Sequence, residues 1–240
     1  MLRLLLHAAA ISVYTLVFGL GASVAVILIP GGRVFRWFAR SWARLIAWTC
    51  RTRVRIQGLE RIPADRACVY MSNHQSHFDV IALLTALPGR YRILAKRELF
   101  LIPVFGWALW LAGMIPVDRS RRDRAIRSLE TAVRKVRQGN SILVFAEGTR
   151  SEDGRLRPFK KGGFHLAMEA GAPIVPISVR GSREVLSRGS MEIRPGTIDV
   201  VFGDPIETGS PSAGALPELM ARVRSAIESG LAEGGPAEVS

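Results

Sequence analysis

Two short runs of this 240-residue chain carry side chains that could do chemistry together. The first is Asn73-His74-Gln75-Ser76-His77-Phe78-Asp79, which follows an apolar stretch from Cys68 to Met71 and precedes another that starts at Val80. An imidazole with one ring nitrogen held by a carboxylate keeps the other free to take a proton. His74 and Asp79 are therefore a candidate base and its orienting group. On one continuous helix their separation would turn them about 140° apart, so they can meet only across a turn. A strand-to-helix junction supplies that turn. The spacing alone admits a second reading with equal force, in which Asp79 is a simple helix cap and His74 a surface residue.

The second run is Phe145-Ala146-Glu147-Gly148-Thr149-Arg150-Ser151, again at the end of an apolar stretch. Gly148 permits a tight backbone approach, Thr149 and backbone amides can donate to phosphate oxygens, and Arg150 offers a two-pronged guanidinium. Such a turn is a candidate phosphate clamp. The plainer alternative is a turn closed by an ion pair between Glu147 and Arg150.

The elements that must position these runs follow from periodicity. Short β-branched stretches predict strands at Val54–Gln57, Cys68–Met71, Arg92–Ala95, Ile115–Val117, Ile142–Phe145, Ile174–Val179 and Thr197–Phe202. Helical spacing predicts helices at Asp79–Ala86, Arg121–Gln138, Gly162–Glu169 and Leu216–Ser229. Strands alternating with helices predict an α/β fold: a mixed, largely parallel sheet flanked by helices, preceded by N-terminal membrane helices. The expected organisation is a membrane-anchoring segment at 1–50, a catalytic body at 51–232 and a flexible tail at 233–240. The apolar stretch Leu99–Leu111 contains Pro103 and Gly106 and is too short to span a bilayer. Core is the favoured reading for it, over an acyl-chain groove or a membrane-contact surface.

From Leu4 to Ile29 the only strongly polar side chain is His7, and the run is long enough to cross a hydrocarbon layer of roughly 30 Å. It exceeds a signal-peptide core and is followed by seven arginines between Arg33 and Arg55, so retention is expected over cleavage. The first acidic residue is Glu60, and by the positive-inside rule the body after Ile29 is expected on the cytoplasmic face of the inner membrane. As a helix, Arg33–Thr49 would set Arg33, Arg36, Arg40 and Arg44 opposite Phe35, Phe38, Trp42, Leu45 and Ile46. This pattern fits a helix lying on an anionic lipid surface, with packing on its own domain as the alternative. The net charge of +13 calls for an anionic partner. Because the arginines concentrate beside the apolar segment and no nucleic-acid motif is evident, anionic membrane lipids are expected and nucleic acid is not. Cys50 and Cys68 form neither a disulfide framework nor a metal-ligand pattern and are expected as reduced thiols.

The two runs, in this order, resemble blocks of the glycerolipid acyltransferase family typified by bacterial lysophosphatidic acid acyltransferases. His74-x4-Asp79 is similar to its first block, Gly113 to Arg119 to its second, Phe145 to Ser151 to its third and Val175-Pro176-Ile177 to its fourth. Lys96 and the Phe159-Lys160-Lys161-Gly162 run also fit, and the departure is Ala146, where proline is usual. The resemblance implies direct acyl transfer from acyl-CoA or acyl carrier protein to the sn-2 hydroxyl of 1-acylglycerol-3-phosphate. No covalent acyl-enzyme and no cofactor beyond that thioester co-substrate is implied, and no metal. His74 would be the base and Asp79 its orienting group. Lys96, Arg119 and Arg150, with Thr149, would hold the acceptor phosphate, while Glu147 and Gly148 would shape the pocket. His77 would be a neighbour of the base and His165 a structural residue. The same chemistry on another lyso-acceptor, or a non-catalytic basic binding protein tethered to the membrane, are the alternatives.

Overall fold

The computed structural model describes residues 2–29, 33–118, 121–209 and 215–232. In chain order its elements are α1 (Leu2–Leu28), α2 (Arg33–Thr49), β1 (Thr52–Gln57), β2 (Val69–Ser72), α3 (Phe78–Ala86), β3 (Tyr91–Lys96), α4 (Phe105–Leu111), β4 (Ile115–Val117) and α5 (Arg122–Arg137). Then come β5 (Ser141–Phe145), α6 (Gly162–Ala170), β6 (Ile174–Arg180), α7 (Ser182–Val185), β7 (Gly196–Phe202) and α8 (Ala215–Ala232). The seven strands read from the sequence are all present, and the four helices correspond to α3, α5, α6 and α8.

The strands form one sheet in the order β1-β7-β6-β2-β5-β3-β4. β6, β2, β5, β3 and β4 run parallel, β7 runs against β6, and β1 follows β7. A parallel strand is covered on both faces by its crossover helices, so it is apolar on both faces. In β2, Val69 and Met71 join the core beneath α5, α6 and α8, while Tyr70 joins the core beneath α2 and α3. Ser72 at the end of β2 pairs in register with Phe145 at the end of β5. The two chemistry-bearing runs therefore leave the sheet side by side at its C-terminal edge, where parallel sheets leave a crevice.

α1 is long and apolar enough to cross a membrane and is almost wholly unburied. It is joined to α2 by a Tyr14 to Thr49 hydroxyl bond of 3.1 Å and by Trp42 Nε1 donating to Thr15 Oγ1 at 3.2 Å. At Gly19 a Cβ would lie 2.7 Å from Cγ1 of Val104, so the absent side chain admits the start of α4 against α1.

Two expectations are corrected here. The apolar side of α2 is packed on protein, with Phe35, Ala43, Ile46 and Ala47 buried, so it is not the free membrane face that the periodicity suggested. The aromatic groups it turns outward are Trp37 and Trp48. Leu99–Leu111 is only partly core: Phe100, Gly106 and Ala108 are buried, while Leu101, Ile102, Trp107, Trp110 and Leu111 are exposed, and α4 packs beside α1. Pro103 and Gly106 do not prevent a helix. α4 starts at Phe105, two residues past the proline, so the ring lies outside the helix and removes no intrahelical bond. The expected tail at 233–240 lies outside the described residues.

Candidate active site

His74 leaves β2 and enters a turn that ends where α3 begins at Phe78. Asp79, in the first turn of that helix and fully buried, reaches back so that one oxygen, Oδ2, accepts three bonds. The donors are the Gln75 N–H at 2.6 Å, the Ser76 N–H at 2.8 Å and Nδ1 of His74 at 2.7 Å. Two backbone N–H groups and the imidazole nitrogen thus converge on a single carboxylate oxygen. That carboxylate in turn selects the imidazole tautomer with hydrogen on Nδ1, leaving the Nε2 lone pair unused. The turn read from the spacing is thus the observed one, and Asp79 faces the imidazole as well as the helix start.

Neighbouring strands immobilise this corner. Asn73 bridges to β6, its Nδ2 donating to the Val179 carbonyl at 2.8 Å and its Oδ1 accepting the Val179 N–H at 2.7 Å. The His74 ring stacks on Phe145 with centroids 3.8 Å apart, and the Ser151 N–H donates to the His74 carbonyl at 2.8 Å. Glu147, 1% exposed, accepts the His74 N–H on Oε1 at 2.7 Å and the Arg157 N–H on Oε2 at 3.0 Å. Burial pushes its carboxyl above the ordinary range, against those two bonds and the pull of His74, which favour ionisation. Glu147 does not pair with Arg150. Its inward bonds exclude the ion-paired turn that the sequence left open. Gly148 sits in the left-handed region at φ 72, which is why this sharp turn takes a residue without a side chain.

A cavity of about 380 Å³ opens beside His74. His74, His77, Lys96, Thr149 and Arg150 are polar groups on its wall, and the remainder is mostly apolar, with contributions from α1, α2, α3 and α4. Phe18 and Ala22 of α1 line it, as do Phe35 and Trp42 of α2. Burial, then the charges of Arg150 and His74, push His77 below the ordinary histidine range, so near neutral pH it is uncharged. The structure thus gathers His74, Lys96, Thr149 and Arg150 around one opening, with Asp79, Glu147 and Gly148 behind the wall. Arg119 lies outside the described residues. Lys96 is exposed, and among the described residues its ammonium makes an ion pair only with Glu98, at 3.3 Å. Asn73 and Phe145 were inside the motifs but had no assigned task. Their roles depend on which strands become neighbours, which local spacing does not encode.

A family profile described as acyltransferase matches residues 53–180, more than half of the chain. The chain belongs to the acyltransferase family. It is 37% identical over 207 residues to the chloroplastic 1-acyl-sn-glycerol-3-phosphate acyltransferase BAT2 of Brassica napus, covering 80% of this chain and 60% of that one. It is 32% identical over 214 residues to the 1-acyl-sn-glycerol-3-phosphate acyltransferase of Pseudomonas aeruginosa, covering 87% and 82%. With the human 1-acyl-sn-glycerol-3-phosphate acyltransferase alpha it shares 38% over 173 residues, covering 72% and 61%. The chain therefore spans about 60% of the length of its plant and human acyltransferase relatives. A crystal structure of the acyltransferase PlsC from Thermotoga maritima, a 1-acyl-sn-glycerophosphate (LPA) acyltransferase, has a TM-score of 0.85 at 26% identity, covering 97% of this chain and 94% of that one.

Proposed function

We propose that this acyltransferase moves an acyl group from acyl-CoA or acyl carrier protein to the sn-2 hydroxyl of 1-acylglycerol-3-phosphate, giving phosphatidic acid. The observation that carries this reading is the cavity beside His74, apolar along most of its wall but bearing Lys96, Thr149 and Arg150. That is the chemistry of an amphiphile with one long chain and an anionic head. The names of the relatives agree with it.

In the proposed step Nε2 of His74 takes the proton of the acceptor hydroxyl as that oxygen bonds to the thioester carbonyl carbon. The tetrahedral centre then collapses, the carbon–sulfur bond breaks, and the imidazolium returns the proton to the departing sulfur. The products are an ester and a free thiol. Asp79 holds the ring and stabilises its transient positive charge, Glu147 fixes the backbone of the base, and Lys96 and Arg150 receive the phosphate.

The same reading places residues 1–50 as the anchor, in the inner membrane with the body on its cytoplasmic side. Support comes from the apolar α1, the exposed Trp107 and Trp110 of α4 packed beside it, the exposed Leu101 and Ile102, and the arginines that follow α1. The test is release of free thiol by the purified full-length chain with lysophosphatidic acid, glycerol phosphate or monoacylglycerol, each offered with acyl-CoA and with acyl carrier protein. Strong preference for lysophosphatidic acid supports the reading. Equal turnover of monoacylglycerol refutes the phosphate clamp, and no turnover of any acceptor refutes the reaction.

A further inference from the structure

A second cationic cluster lies away from the catalytic opening. It joins Arg36 and Arg40 of α2 to Arg90 and Arg92 at the start of β3, around the buried Tyr91. Two carboxylates elsewhere in the fold each serve two arginines: Asp199 pairs with Arg55 and Arg180, and Asp118 with Arg97 and Arg124. Among the described residues no carboxylate makes an ion pair with any of these four. Arg40 donates to the Leu87 carbonyl and Arg92 to the Tyr91 carbonyl, each at 2.8 Å. Two further donors, Arg36 Nη1 and Arg92 Nε, are buried with no protein acceptor. Gly113 packs beside the second of them, where a Cβ would stand 3.1 Å from Arg92 Nε.

Gathering like charges and burying their unpaired donors both cost free energy. Burial first, and then mutual repulsion, hold Arg36 and Arg92 below the ordinary arginine range. An oxyanion removes both penalties together, and planar guanidinium forks match the oxygens of a phosphate.

We infer that Arg36, Arg40, Arg90 and Arg92 form a phosphate-binding site separate from the one that receives the acceptor. Arg92 and Lys96 stand about 13 Å apart along β3, at the rise of an extended strand, and Lys96 lines the cavity beside His74, whereas none of the four arginines does. The group is either the headgroup of an anionic membrane lipid or a soluble phosphate. The lipid is favoured by the surroundings: Trp37, next to Arg36, is exposed, and so are Ile27 and Leu28 at the end of α1. Phe35 and Ala39 line the apolar cavity from the same helix, so an occupant of this site ties a wall of that cavity to β3.

The test is thermal unfolding of the full-length protein in neutral detergent at fixed ionic strength. The additives are dihexanoyl phosphatidylglycerol, dihexanoyl phosphatidylcholine or inorganic phosphate. A saturable rise in Tm of about 3 to 5 °C with phosphatidylglycerol is expected in the wild type. It should fall at least tenfold in apparent affinity in Arg36→Gln and in Arg92→Gln, yet persist in Lys96→Ala. The same arginine-dependent rise with inorganic phosphate assigns the site to a soluble anion. Shifts unchanged by both arginine substitutions, an equal shift with phosphatidylcholine, or no shift with either anion would overturn the proposal.

Discussion

The two sides of the catalytic opening are built on opposite terms. Around His74, Asp79 accepts three bonds on one oxygen, Glu147 and Ser151 hold the backbone, Asn73 is tied to β6, and Phe145 lies flat beneath the ring. On the facing side, Lys96 is paired only with the exposed Glu98, and Arg150 has no side-chain partner among the described residues. A base must already be aimed when the substrate arrives, because a displacement of about 1 Å can cost two orders of magnitude in rate. A group that receives an anion gains by keeping its donors unspent until the anion supplies the acceptors. In the proposed reaction, rigidity sits where the proton moves, and vacancy where the ligand binds.

That contrast can be broken most severely at the base. His74→Ala should lower kcat by roughly 10²- to 10⁴-fold in a thiol-release assay, the span of general-base assistance, while cooperative unfolding and membrane association are retained. Near-normal turnover would remove His74 from the chemistry.

Asp79→Asn comes next. Since all three bonds converge on Oδ2, an amide oxygen could occupy the same place. The loss would be the charge that stabilises the imidazolium, and a reduction in kcat on the order of 10³-fold is expected. The amide nitrogen would occupy the buried, unpartnered position of Oδ1, so stability should also drop, by about 1 to 3 kcal/mol. Unaltered kcat with lowered stability would make Asp79 a helix cap and nothing more.

On the vacant side the expected effect is smaller and falls on binding. Arg150→Ala should reduce acceptor kcat/KM by roughly 10- to 150-fold, the value of one charge-assisted bond, with donor KM and Tm little changed. Arg150→Lys should restore only part, for want of a two-pronged head. Equal losses for acceptor and donor would assign Arg150 to structure.

The smallest effect serves as a control far from the opening. Bonds from Arg55, and from Arg180 once its burial cost is met, hold the Asp199 carboxyl below its ordinary value of 3.8. Its ionised form is therefore bound more tightly by the fold than by the unfolded chain. The stabilisation is complete above pH 4 to 5 and is lost as the pH falls through 3.8 and the lower folded value. Tm curves of the wild type and Asp199→Asn should be separated by a few degrees at neutral pH and converge in acid, with no kinetic change at neutral pH. A kinetic defect equal to that of Arg150→Ala would show that the opening is not mechanically independent of β7.

Much of the fold was legible because its signals are local. Strands such as Ile174–Arg180 are rich in β-branched residues, here Ile174, Val175, Ile177 and Val179, and α5 and α8 are long enough for their helical period to stand out. The His74–Asp79 pair was legible for the same reason: both partners lie within one turn. Glu147 was not. Its inward direction follows from β2 and β5 becoming neighbours although their runs are more than 70 residues apart, as the Glu147 bond to the His74 N–H shows with a separation of 73. The four-residue α7 is too short to display a period. Leu99–Leu111 could not be divided into core and surface without knowing that α1 lies beside it, and a row of apolar residues on α2 does not say whether lipid or protein covers it.

The wall that α1 and α2 give the cavity changes what concentration means for this protein. Under the proposed function, a single-chain lipid would reach such a groove sideways, by diffusion within the sheet of lipids, and the diacyl product would leave the same way without passing through water. Velocity would then follow the mole fraction of acceptor in the bilayer, so diluting it with inert lipid at constant bulk amount should slow the reaction. A thioester donor arriving from the aqueous side would obey ordinary solution kinetics, and a single turnover would join a two-dimensional encounter to a three-dimensional one.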